Sequence, residues 1–180
     1  MRKTLPVIVV FLLLVVQVVR ARETRQLKAW KFYPAYDVSR NPQMTDVVVP
    51  HTWNLTDVFQ GMKYERGTYV YEHVLTVNER QMKGQRFFLK FDGVNSFAEV
   101  AVNQQSVGRH AGGYTAFCYE ITDKLHAGDN KITVVASNAY RTDVAPLAGD
   151  FNMYGGITRP VWLLVTDEDC ISPLDYGSSG

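Results

Sequence analysis

The chain has few of the residue groupings that announce chemistry. Its four histidines, His51, His73, His110 and His126, show none of the paired spacings that hold zinc, and all four are read as satisfied or solvent-facing imidazoles. No Gly-x-Ser-x-Gly elbow, phosphate-binding loop or dinucleotide fingerprint occurs, so the sequence offers no handle for serine-hydrolase, nucleotide-hydrolase or Rossmann chemistry. Charge of one sign is also missing: 19 Lys+Arg against 18 Asp+Glu give +1, which makes no electrostatic case for nucleic acid or an acidic membrane surface. There are only two cysteines, Cys118 and Cys170, far apart in sequence. An exported chain could join them as a disulfide, but both also fit as small buried hydrophobes, and that reading is favoured. At 180 residues the chain is too short for a (β/α)8 barrel, which takes about 250.

What is present begins with one long apolar run, Leu5 to Val19, behind Arg2 and Lys3. Fifteen such residues ending at Val19-Arg20-Ala21 read as a secretory signal peptide over 1–21, cleaved after Ala21. An uncleaved anchor is the competing reading, disfavoured because a spanning helix needs about 20 apolar residues. Export to the periplasm or the extracellular space is therefore expected, with no stable membrane span after cleavage. The remaining 159 residues carry 16 basic against 18 acidic side chains and suffice for one domain with a sizeable core.

The hydrophobic period of that body is two. Tyr69, Tyr71, Leu75 and Val77 share one face of a strand over 68–77, and Phe87, Leu89 and Phe91 alternate with Phe88 and Lys90. Ala98, Val100 and Val102 alternate with Glu99 and Ala101, and a turn at Asn103-Gln104-Gln105 folds the chain into a hairpin with 106–110. Phe117, Tyr119 and Ile121 mark another strand, and Ile132, Val134 and Ala136 another, launched by the turn at Gly128 to Asn130. Val161 to Val165 is continuously apolar, as in a strand buried on both faces. Ala29 to Tyr33 and Val47 to Val49 complete about eight short strands, with no helical stripe. This pattern predicts an all-β sandwich, and the long connection over 137–154 favours a jelly roll over an up-and-down barrel. The sandwich is placed at 22–166. Residues 167–180, with Asp-Glu-Asp, a proline and a Gly-Ser-Ser-Gly finish, read as a linker towards a missing next domain.

Three clusters of glycine and aromatics sit at element ends: Pro50 to Asn54, His110 to Phe117, and Gly149 to Arg159. Glycine permits close backbone approach and aromatics present flat apolar faces, a combination suited to sugars. Turn glycines and core aromatics of a sandwich explain the same residues without a ligand. Asn54-Leu55-Thr56 also fits the glycosylation pattern, a match too common to weigh much.

Taken in order, Pro50-His51-Thr52-Trp53-Asn54, Tyr64-Glu65-Arg66-Gly67-Thr68-Tyr69, Phe91-Asp92-Gly93-Val94, Val102-Asn103 with Val107 to Phe117, and Gly149-Asp150-Phe151 through Gly155-Gly156-Ile157-Thr158-Arg159 resemble the N-terminal sugar-binding domain of glycoside hydrolase family 2. Bacterial β-galactosidases are its best-known members, and the resemblance covers about residues 27 to 166. One departure is Gln104, where the family usually has glycine. The resemblance implies a jelly roll, similar to galactose-binding domains, that precedes an immunoglobulin-like domain and a catalytic barrel. It also implies retaining hydrolysis by two barrel glutamates beyond Gly180. On this basis the chain is expected to be such a domain, truncated before the barrel, inactive alone, and acting on carbohydrate, with β-galactoside the leading guess. A free-standing carbohydrate-binding module is the alternative, and a broken-gene remnant a third. In β-galactosidases of the family the aspartate matching Asp150 contacts galactose in the barrel, sometimes through a sodium ion; an Asx-turn role capping the Gly149 loop is equally open. Asp150 is the one substrate-binding candidate. Arg159 is assigned no chemistry, being as much a structural donor as a partner for a carboxylate. No catalytic residue, metal ligand or further cofactor is expected within the chain.

Overall fold

The computed structural model describes residues 23–37, 43–145 and 152–174. The expected signal peptide therefore lies outside the described residues, as do Asp150 and residues 175–180 of the expected linker. Among the described residues ten strands form two antiparallel sheets: β1 (Glu23–Gln26), β2 (Ala29–Pro34), β3 (Thr45–Val48), β4 (Thr68–Val77), β5 (Gln85–Phe91), β6 (Phe97–Val102), β7 (Gln105–Ala111), β8 (Phe117–Glu120), β9 (Gly128–Ser137) and β10 (Val161–Asp167). One sheet has the order β1-β10-β5-β8 and the other β3-β2-β4-β9-β6-β7. The all-β sandwich expected from the period-two pattern is what forms.

The alternation works as pleat geometry requires. From the larger sheet Trp30, Tyr71, Leu75, Val77, Ala98, Val100, Val102, Ile132, Val134 and Ala136 turn inward to meet Phe87, Leu89, Phe91, Phe117, Leu163 and Val165 of the smaller one. Burying each large apolar side chain is worth about 1.5–3 kcal/mol, so this interior is the main stabilising term. The apolar strand β10 is buried on both faces, Leu163 and Val165 on one and Leu164 on the other. Phe88, placed with Lys90 on the face opposite the core, is fully buried as well. It sits beside Leu164 in register, with the Arg86 guanidinium 5.2 Å from its ring. The two outward valines of β4 differ: Val70 is buried beside Tyr33, its partner in register, whereas Val74 is exposed.

Strand β1 lies outside the pattern that sequence reading relies on. Glu-Thr-Arg-Gln carries no apolar residue, yet it pairs with β10 from Glu23↔Val165 to Gln26↔Trp162 as the edge of the smaller sheet. The hairpin of β6 and β7 turns on two residues, Asn103 and Gln104, at φ 49° and 67°. These values define a type I′ turn, kept despite the missing glycine because Asn103 is held from three sides. Its amide donates to the Lys124 carbonyl and Asn130 Oδ1, and its Oδ1 accepts from the Lys131 N–H. Beyond β10 the Glu168 N–H donates to the Gly84 carbonyl and Arg86 Nη1 lies 3.7 Å from Cys170 Sγ. Cys118 and Cys170 are both of intermediate exposure, so neither is the buried hydrophobe expected. The reason is their place at the rim: Cys118 lies on edge strand β8 and Cys170 beyond the last strand.

Candidate loop-end site

One end of the sandwich gathers the described parts of the three glycine and aromatic clusters. The segment after Asp150 is threaded there between two others: His51 N–H donates to the Ile157 carbonyl at 2.8 Å and Trp53 N–H to Gly155 at 3.2 Å, while Asn95 exchanges backbone bonds with Gly156. Such close approach explains the glycine pair. A side chain at Gly155 would collide with the Trp53 indole, and one at Gly156, where φ is +133°, with the His51 carbonyl and the Tyr71 hydroxyl.

Two fully buried asparagines tie this end together. Asn54 donates to the Glu65 and Met153 carbonyls, each at 3.0 Å, and accepts from the Gly155 N–H at 2.9 Å. Asn138 donates to the same two carbonyls, at 3.0 and 2.9 Å, and accepts from the Gly67 N–H at 2.8 Å. A side-chain amide is the only neutral group offering two donors and an acceptor in one plane, so both positions call for asparagine. The glycosylation pattern at Asn54 therefore marks a buried clamp whose amide nitrogen is already committed. Further ties come from Tyr64, whose hydroxyl donates to Asn152 Oδ1 at 2.8 Å, and from Asn95, whose amide donates to the Tyr154 carbonyl.

Around the clamp lies an aromatic stack. The Phe32 and Tyr69 rings are 4.9 Å apart and nearly parallel, and Trp53 lies 4.5 Å from Tyr69. The Trp53 indole N–H is buried without a partner. Burial, then the Glu65 carboxylate that accepts its hydroxyl, raises the Tyr69 pKa. Burial also raises that of Tyr71, the Ile157 backbone contact working the other way, and lowers that of half-buried His51. His51 Nδ1 lies 2.9 Å from the Tyr71 hydroxyl, within hydrogen-bond distance. Two described carboxylates at this end are in structural use, Asp57 accepting the Glu65 N–H at 2.8 Å and Glu65 accepting Tyr69. What remains is a rigid shelf of rings and turns, able to hold and orient a neighbour.

Asp150 itself is outside the described residues, but the chain is pinned from Asn152 onward. Arg159 proves a structural donor: its Nη1 reaches the Tyr114 carbonyl at 3.1 Å and its stem packs over Gly93. Among the described residues no three His, Cys, Asp or Glu side chains are grouped to hold a metal. Asn95 and Asn138 escaped sequence reasoning because a lone asparagine after a strand carries no pattern.

The family model for glycosyl hydrolases family 2, sugar binding domain, matches residues 28–167. The chain belongs to this family. It is the N-terminal sugar-binding domain found in family 2 β-glucuronidases and β-galactosidases. It is 48% identical over 153 residues to a β-glucuronidase of Bacteroides fragilis, covering 84% of this chain and 22% of that protein. A β-galactosidase of Thermoanaerobacter pseudethanolicus is 33% identical over 159 residues, 82% of this chain and 21% of the relative. Among solved structures, a Bacteroides uniformis β-glucuronidase superposes with a TM-score of 0.77 at 35% identity, covering 88% of this chain and 20% of its own. A Bifidobacterium dentium β-glucuronidase complexed with coumarin-3-O-glucuronide gives 0.67 at 27%, with 84% and 31% covered. The chain thus spans about a fifth of the length of the curated relatives it matches.

Proposed function

We propose that this family 2 domain, read as a jelly roll behind a cleaved signal peptide, belongs to an exported β-glycosidase whose catalytic barrel lies outside the chain, and that β-glucuronides are its substrates. The observation that carries the reading is the pinned segment 152–157. The resemblance implies that the aspartate matching Asp150 reaches the barrel in the family's β-galactosidases, and here two asparagines, Tyr64 and Asn95 fix the chain from two residues after Asp150. The motif resemblance points to β-galactosides. The 48% identity to a β-glucuronidase, against 33% to a β-galactosidase, supports moving the weight to glucuronides. In this reading Asp150 accepts sugar hydroxyls at the barrel mouth, orienting the glycoside while two barrel glutamates perform retaining hydrolysis. The isolated chain hydrolyses nothing.

Comparing 4-nitrophenyl β-glucuronide with the β-galactoside on the enzyme that carries this domain with its own barrel tests the substrate. A higher kcat/KM for the glucuronide is expected, and a preference for the galactoside refutes that part. Asp150→Asn in the same enzyme is expected to raise KM, and an unchanged KM refutes the contact. Turnover by the 180-residue chain alone at an enzymatic rate refutes the whole assignment.

A further inference from the structure

Strand β4 is paired along its full length on one side only. Its ladder with β9 runs from Thr68↔Ser137 to Val77↔Gly128, whereas the ladder with β2 stops at Lys31↔Glu72. Successive residues of an antiparallel strand turn their N–H and C=O groups to opposite sides. The Asn138 N–H donates to the Gly67 carbonyl across the β9 side, so odd-numbered residues of β4 bond to β9 and even-numbered ones face the other way. Val74 and Thr76 therefore present their backbone groups to a side where no described strand lies. Strand β2 splays away there: the β4 ladder ends at Lys31, and the Ala29 carbonyl accepts from His73 Nδ1 at 2.7 Å.

The splay leaves two adjoining hollows of about 290 and 260 Å³ that share His73 and Val74. The crossover Arg25 to Lys28 forms the far wall of one of them. Val74 is 59% exposed and Thr76 is exposed too. An open edge with β-branched residues and no proline or bulge invites another strand. Charge selects which. Lys31 is paired with Asp46 and Glu72 with Lys131, and Asp129 accepts the Thr76 hydroxyl. Arg25 and Lys28, both exposed, have no carboxylate partner among the described residues. Four cations thus stand against three carboxylates, and the groove carries a net positive charge. A second copy offering the same edge would bring its own Arg25 and Lys28 against these, which disfavours self-pairing.

We propose that the open edge of β4 is a docking groove for an extended acidic polypeptide segment, which adds as a short strand beside Val74–Thr76 and sets its carboxylates against Arg25 and Lys28. Backbone bonds to Val74 and Thr76 supply the register, and the exposed Val74 side chain meets an aliphatic residue of the incoming strand.

The test uses the full chain and a fluorescein-labelled heptapeptide, Asp-Val-Glu-Val-Asp-Val-Glu, followed by anisotropy at low ionic strength. The peptide is expected to bind, its version N-methylated at alternate amides at least tenfold more weakly, and the Arg25→Glu/Lys28→Glu variant roughly tenfold more weakly than the unaltered chain. Amide exchange at Val74 and Thr76 is expected to slow when the peptide is added. Absence of binding overturns the proposal. So does equal affinity for the N-methylated peptide, which would show charge attraction without strand addition, or unchanged exchange at the two amides. If the double variant fails to fold, the methylated peptide against the unaltered chain still decides.

Discussion

The paired asparagines make a prediction that can be worked through in numbers. Replacing Asn54 by alanine removes three hydrogen bonds, but their loss is unequal. The Gly155 N–H is left buried with no partner, whereas the Glu65 and Met153 carbonyls each keep the bond from Asn138. Stranding one buried donor costs about 1–3 kcal/mol, and the small void adds to it. Asn54→Ala is therefore expected to destabilise the chain by about 3 kcal/mol, a large share of a typical stability of about 5–15 kcal/mol. Asn138→Ala, which strands the Gly67 N–H, should cost a similar amount. The double variant is the sharper measurement. With both amides gone the two carbonyls lose their last side-chain donors, so the pair should cost more than the sum, by about 1 kcal/mol of coupling. Urea unfolding followed by tryptophan fluorescence reads this directly: for a slope of about 2 kcal/mol/M each single variant lowers the midpoint by about 1.5 M. A single-variant cost below about 0.5 kcal/mol, or strict additivity in the double, would refute the shared-acceptor account.

Two further outcomes follow from local chemistry. Gln104→Gly is expected to raise stability by about 0.5–1 kcal/mol, because a left-handed φ strains a residue with a side chain; a shift of the urea midpoint in the opposite direction would count against the type I′ assignment. His51, His73 and His110 are all held below the ordinary imidazole pKa, chiefly by burial. The unfolded chain then takes up protons near pH 6.5 that the folded chain refuses, so stability present above about pH 6.5 declines as pH falls through that value. A melting temperature lower at pH 5.5 than at 7.5 is expected, with part of the slope removed in His51→Gln, which cannot titrate; a flat profile refutes the burial argument.

Legibility in the sequence followed the physics of each feature. Strands whose burial is one-sided show it as alternation, and β4, β6 and β9 were readable residue by residue because Tyr71, Val100 and Val134 face one core. Strand β1 was invisible because an edge strand gains its place through backbone pairing with β10, which needs no apolar side chain. The burial of Phe88 was missed for a related reason: alternation reports one face, and a cover over the other leaves no mark in the strand's own period. At the loop end the glycine pair and aromatics were legible as a cluster. Their organiser was not, since Asn54 and Asn138 lie 84 positions apart and meet only through the carbonyls of Glu65 and Met153. Asn54 even carried a misleading signal, its sequon pointing outward while its side chain is fully buried.

The pairing of the first described strand with the last has a consequence for assembly at the ribosome. Strand β1 is the first of the ten to emerge, yet its only strand partner, β10, begins at Val161. Until that stretch is free of the exit tunnel, the smaller sheet lacks two of its four strands, and the inner faces of β4, β6 and β9 have only half a lid. The hairpin of β6 and β7 can close early through local contacts, but the sandwich as a whole must wait for the end of the domain. A nascent chain of this kind exposes apolar strand faces for most of its synthesis, the stage at which edge-to-edge pairing with other chains is hardest to avoid.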